Sequence, residues 1–142
     1  MSSVYIPVAI RERVAASARY RCGYCLSPQK YVMDELEYDH LHPRSLGGLT
    51  IESNLWLACG LCNRRKHNQI SAIDDETGIE AFLFNPRIQF WPEHFSWDET
   101  GIFIIGLTPF GRTTVKALKL NNPIALRVRR HWVTAGWHPP QD

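Results

Sequence analysis

The four cysteines constrain this chain most. They fall in two pairs, Cys22-Gly23-Tyr24-Cys25 and Cys59-Gly60-Leu61-Cys62, and no cysteine lies outside them. Two thiolates at that spacing form a tight knuckle that presents both sulfurs to one ion. Two such knuckles complete a tetrahedral zinc site. A thioredoxin-like redox motif needs only one pair, and buried free thiols are the plain alternative. Four thiolates close the coordination shell, so the zinc expected here is structural and its binding contributes directly to folding. The long stretch between the knuckles is then a folded insert whose ends the ion pins together.

Paired cysteines carry this meaning where thiols stay reduced. The opening MSSVYIPVAIRERV lacks the apolar core of a secretory leader, and no run approaches the length of a membrane span. The expectation is therefore a cytoplasmic protein without membrane contact. A length of 142 residues, 44% hydrophobic and 21% charged, suits one α+β domain over residues 1–142. The formal charge of +2 is too small to argue for a nucleic-acid partner. Its distribution says more. Residues 102–141 hold no acid but include Arg112, Lys116, Lys119, Arg127, Arg129 and Arg130, while acids gather at 34–39 and 74–76. That asymmetry suits a phosphate-facing surface, and it equally suits a solvated helical face.

Periodicity and turn chemistry give the elements. Pro7 can open a helix over residues 8–20, with Ile10, Val14 and Ala18 on one side. Residues 31–41 read as a strand ending at Asp39-His40. Regular alternation would send those neighbours to opposite faces unless the strand twists or stops there. Residues 43–53 read as a loop, with Gly47-Gly48 giving backbone freedom. A second strand over 55–58 would pair antiparallel with the first, and a helix follows over 59–69. Downstream, a strand over 79–84 precedes Phe90, Trp91, Phe95 and Trp97, read as packing aromatics. A hairpin over 95–107 turns at 98–101. Helices over 108–120 and 123–135 close the chain. No repeat or linker divides it.

The segment from Cys22 to about Asn68 resembles the HNH endonucleases. The residues that carry the likeness are Asp39-His40, Gly47-Gly48, Asn54-Leu55 and Cys59-Gly60-Leu61-Cys62-Asn63-Arg64-Arg65-Lys66. Asn63 stands where the third letter of the family name places His. The resemblance implies a zinc-clamped ββα-metal (His-Me) finger with flanking helices and an additional β-hairpin. The extension runs from about 79 to 138. It also implies an endonuclease that hydrolyses phosphodiester bonds in DNA. His40 would be the general base activating water, a role a near-neutral imidazole can fill. Asp39 and Asn63 would hold one Mg²⁺ or Mn²⁺. Asn54 would tie the loop to the strand and orient the histidine. Arg64, Arg65 and Lys66 would contact flanking phosphates, and His67 is a further ligand candidate. Two other readings stay open: a zinc-stabilised nucleic-acid-binding module without catalysis, and an RNase. Sequence specificity and oligomeric state stay open as well.

Overall fold

The computed structural model describes residues 4–141. The chain forms two compact units. The first reaches to Ile70 and takes in Asn85–Ile88; the second comprises Ser71–Phe84 and the chain from Gln89 onward.

In the first unit, helix α1 (Val8–Ser17) starts after Pro7, as its fixed φ favours. It stops short of residue 20 because Arg19 and Tyr20 adopt positive φ, each 55°, to turn the chain into the first cysteine knuckle. Strand β1 (Glu37–His40) pairs antiparallel with β2 (Leu55–Ala58), Glu37 opposite Ala58 and His40 opposite Leu55. The ribbon begins at 37 and not at 31 because the Gln29 side chain intervenes. Its amide accepts from the Leu36 N–H at 2.8 Å and donates to the Asp34 carbonyl at 3.0 Å, holding that segment as a loop. Alternation along β2 sends Leu55 and Leu57 inward. Leu55 packs with Val14 and Ile6, and Leu57 with Ala15, Ala18 and Leu36. Arg87, from the returning segment, lies 5.1 Å over the Trp56 ring and donates to the Leu55 carbonyl at 2.9 Å. Helix α2 (Gly60–Lys66) follows β2 directly.

The second unit is built on two short hairpins. Strand β3 (Ser71–Ile73), which periodicity alone does not announce, pairs with β4 (Glu80–Phe82). The short helix α3 (Trp91–His94) leads into β5 (Phe95–Trp97), which pairs with β6 (Ile104–Gly106) across the expected turn. Helix α4 (Pro109–Ala117) packs against β3, β4 and β6. Its N-cap Thr108 accepts from the Gly111 N–H and meets His94 Nδ1 at 2.7 Å. A Cβ at Gly111 would collide with the His94 carbonyl, so the approach needs glycine. Helix α5 (Pro123–Thr134) is capped by Asn122. The aromatics pack on one another: Phe84 meets Phe95 edge-on at 5.0 Å, and Trp91 stacks on Phe95 at 5.0 Å. No helix of the described residues is long and apolar enough to cross a membrane.

The charge asymmetry has a structural account within this unit. Asp74 is 1% exposed and grips Arg112 through two bonds of 2.9 Å each. Lys116 reaches Asp75 at 2.7 Å. The acidic run and part of the basic run therefore face each other. Arg129 is buried, donating to the Ile102 and Leu120 carbonyls at 2.9 and 2.6 Å, while Arg127 and Arg130 are exposed. The basic triplet thus does not present one face.

The Arg112 guanidinium, with help from Thr77, holds the Asp74 carboxyl well below the usual carboxylate range. A carboxyl that titrates lower folded than unfolded stabilises the fold above its unfolded value, about 4, and loses that contribution as pH falls through and below it. We expect acid unfolding of the second unit, followed by tryptophan fluorescence, to steepen below about pH 4. Asp74→Asn should flatten that dependence and leave the unit less stable at neutral pH.

Candidate functional site

The two knuckles are hydrogen-bonded loops before they are ligands. The Cys22 N–H donates to the Ser27 carbonyl at 3.0 Å, and the Leu26 N–H returns to the Cys22 carbonyl at 3.0 Å. In the second knuckle Cys59 caps α2, its sulfur accepting from the Cys62 N–H at 3.4 Å. The Gly23 N–H donates to the Leu57 carbonyl at 2.9 Å, fastening the first knuckle to β2. The sulfurs of Cys22, Cys25, Cys59 and Cys62 all lie within 4.8 Å of one another, and those of Cys25 and Cys59 are 3.8 Å apart. Tetrahedral zinc with bonds of about 2.3 Å sets its sulfurs about 3.8 Å apart, so the cluster fits zinc. Charge points the same way. Burial pushes the Cys22 thiol up, its sulfur neighbours push Cys62 up, and hydrogen bonding from Cys22 brings Cys25 down. With three of the cysteines buried and Cys59 half-buried, the set becomes four thiolates only with a cation among them.

The ribbon and α2 stand directly beyond this clamp. Period-two alternation puts Glu37 and Asp39 on one face of β1 and His40 on the other. The first face meets α2 through two cross-links. Lys66 Nζ donates to Asp39 Oδ1 at 3.1 Å, and Asn63 Nδ2 donates to Glu37 Oε1 at 2.9 Å. Asp39 is 3% exposed, and its Oδ2 accepts from the Tyr24 hydroxyl at 2.6 Å. Burial, the largest influence, carries the Asp39 carboxyl above its ordinary value against Lys66 and Tyr24, which pull it down. Burial and the Asp39 charge raise the Tyr24 phenol, which stays a donor.

His40, half-buried, meets Thr50 Oγ1 at 2.9 Å through Nε2. Burial, then Arg44, lowers its imidazole below the ordinary value, outweighing Asp39. Both influences favour the neutral ring. Asn54 braces the loop: its Oδ1 accepts from the His42 N–H at 2.8 Å, and its Nδ2 donates to the His42 and Leu49 carbonyls at 3.0 and 2.8 Å. It reaches the backbone two residues beyond His40, not the His40 ring. Gly48 lies so close to the His42 carbonyl that a Cβ would collide with it, and Gly47 takes φ 94°. Gly47 uses the backbone freedom expected of the pair, and Gly48 adds a close approach that periodicity does not announce.

No hydrogen bond joins any two of the side chains of Asp39, His40 and Asn63: Asn63 meets Glu37 at the start of β1, whereas Asp39 and His40 end it. Asp39 is engaged by Lys66 and Tyr24, Asn63 by Glu37, and His40 by Thr50. The expectation that Lys66 binds phosphate is corrected. Its ammonium is 2% exposed and spends its donors on Asp39 and on the His40 and Leu41 carbonyls, at 3.0 and 3.2 Å. Arg65 is half-buried with Nη1 inside, and Arg64 is exposed. His67 caps α2 at φ 48° and is exposed. Sequence reading missed Glu37, Tyr24 and Thr50. For Glu37 the signal was available: it lies two residues before Asp39, hence on the same face.

Residues 22–69 match the family model described as HNH endonuclease. The segment of two strands and a helix with its four-cysteine cluster is thus similar to the HNH type, a nuclease-type family. No curated protein and no solved structure matched the chain.

Two outcomes follow from this geometry. Cys59→Ser should lower zinc content, measured by elemental analysis, and the thermal midpoint together; chelation of the wild type should do the same. Lys66→Met leaves the Asp39 charge buried without its partner and should cost about 3–5 kcal/mol in denaturant unfolding. Pairing it with Asp39→Leu should recover part of that loss.

Proposed function

We propose that the finger is the centre of an endonuclease hydrolysing phosphodiester bonds in DNA, with His40 as general base. One observation supports the reading: within the HNH-matched segment, the His40 imidazole is fixed at the end of the ribbon by Thr50, where burial disfavours its protonated form. A neutral ring can take a proton from water, and its bond to Thr50 sets the ring's orientation. Lys66 contributes by anchoring the backbone at the base and just after it, through the His40 and Leu41 carbonyls. Asn54 holds the next stretch of loop. Arg64, exposed on α2, is positioned for a flanking phosphate.

Asp39 and Asn63 are the proposed ligands of a divalent cation. A carboxylate and an amide offer oxygen donors, which suit Mg²⁺ or Mn²⁺. Each Asp39 oxygen accepts one bond here and keeps lone-pair capacity. When bound, the ion supplies charge neutralisation at the scissile phosphate and support for the leaving oxygen. Lys66 already neutralises Asp39, so the cation binds weakly without substrate.

The same Lys66 contact favours a second reading, a zinc-stabilised binding module that never cleaves. Plasmid cleavage in Mg²⁺ or Mn²⁺ separates the two. We expect His40→Ala to cut about 10²–10⁴-fold more slowly with DNA binding retained. Tight binding by the wild type without cleavage, across metals and substrates, would establish the module instead. RNA in the same panel decides between DNase and RNase.

A further inference from the structure

We infer that Glu37 is a positioning residue that fixes the amide of Asn63 so that its oxygen, not its nitrogen, is presented to the divalent cation. The inference rests on the ligand role proposed above for Asn63.

A primary amide has a donor end and an acceptor end of nearly equal size, and only the oxygen is a useful ligand for a hard cation. Nothing in an asparagine itself selects which end faces the ion. The neighbour must do so. Glu37 Oε1 lies 2.9 Å from the Asn63 amide. An ionised carboxylate only accepts, so Nδ2 must be the atom facing it, and Oδ1 is turned away. Flipping the amide would set oxygen against oxygen. The placement follows from the backbone: Glu37 and Asp39 share a face of β1, Asn63 and Lys66 lie three apart on α2, and each acid meets one of them. Glu37 is exposed, unlike Asp39. A bond there adds little to folding, and its orienting effect is what remains. Groups that orient ligands in this way typically change metal affinity 10–100-fold when lost.

The test is Mn²⁺ affinity of the full-length, zinc-loaded chain, read by the electron paramagnetic resonance of free Mn²⁺, with zinc content and thermal midpoint recorded alongside. We expect Glu37→Ala to weaken Mn²⁺ binding at least about tenfold with zinc and midpoint unchanged. Glu37→Gln can turn either end of its own amide toward Asn63, so it no longer selects the orientation and should weaken binding as well. Glu35→Lys, a larger charge change at an exposed neighbour, should have the smaller effect. The decisive arm is Asn63→Asp, which offers oxygen at both ends. In that background Glu37→Ala should no longer weaken binding. Wild-type affinity in Glu37→Ala or in Glu37→Gln, or an undiminished loss in the Asn63→Asp background, would each overturn the inference while leaving the nuclease reading intact. No Mn²⁺ binding by the wild type, with no cleavage, would remove that reading and this inference with it.

Discussion

A single buried ammonium organises the finger. Lys66 comes from the last turn of α2, yet it reaches the end of β1 and bonds to one carboxylate and two consecutive carbonyls. Its burial is possible only because Asp39 is there, and Asp39 is tolerated only because Lys66 and the Tyr24 hydroxyl satisfy it. Tyr24 sits inside the first cysteine knuckle, so the ion pair is tied to the zinc clamp through one phenol. The clamp, the ribbon and the helix therefore constrain one another. A change at any of them is felt at the carbonyl of His40.

The clamp was the most legible part of the sequence. Cysteine spacing is a covalent fact and needs no tertiary context, and the four sulfurs converge as the spacing requires. The order of strand, loop, strand and helix was legible for a related reason: glycine, asparagine and proline mark its joints. Element ends were less so. The strand expected from residue 31 begins at 37 because one glutamine side chain folds back on the backbone, which no periodicity reports. The strand β3 is three residues long and acquires its identity only by pairing with β4.

Charge was the least legible. A sequence lists charges without their partners, so a basic C-terminal third suited a surface for phosphates and a solvated helical face equally. Arg112 and Lys116 instead meet Asp74 and Asp75, Arg129 is an internal donor, and Lys66 lies in the core of the finger. Desolvated cations such as these need acceptors around them, and such acceptors are far away in the chain. The face assignments of Glu37, Asp39 and His40 could be read from period two, but which of them met a helix could not.

The ribbon of the finger is only two strands of four residues, and among the described residues no third strand holds its alignment. A shift by one residue exchanges its faces, and the burial of Leu55 and Leu57 already opposes that. His40 would then turn toward α2 and Asp39 toward the open side. The paired contacts of Glu37 and Asp39 with Asn63 and Lys66 act as two pegs that forbid that slip. Accuracy at the histidine thus comes less from local stiffness than from a ratchet-like indexing of strand against helix, with each peg set on alternate residues.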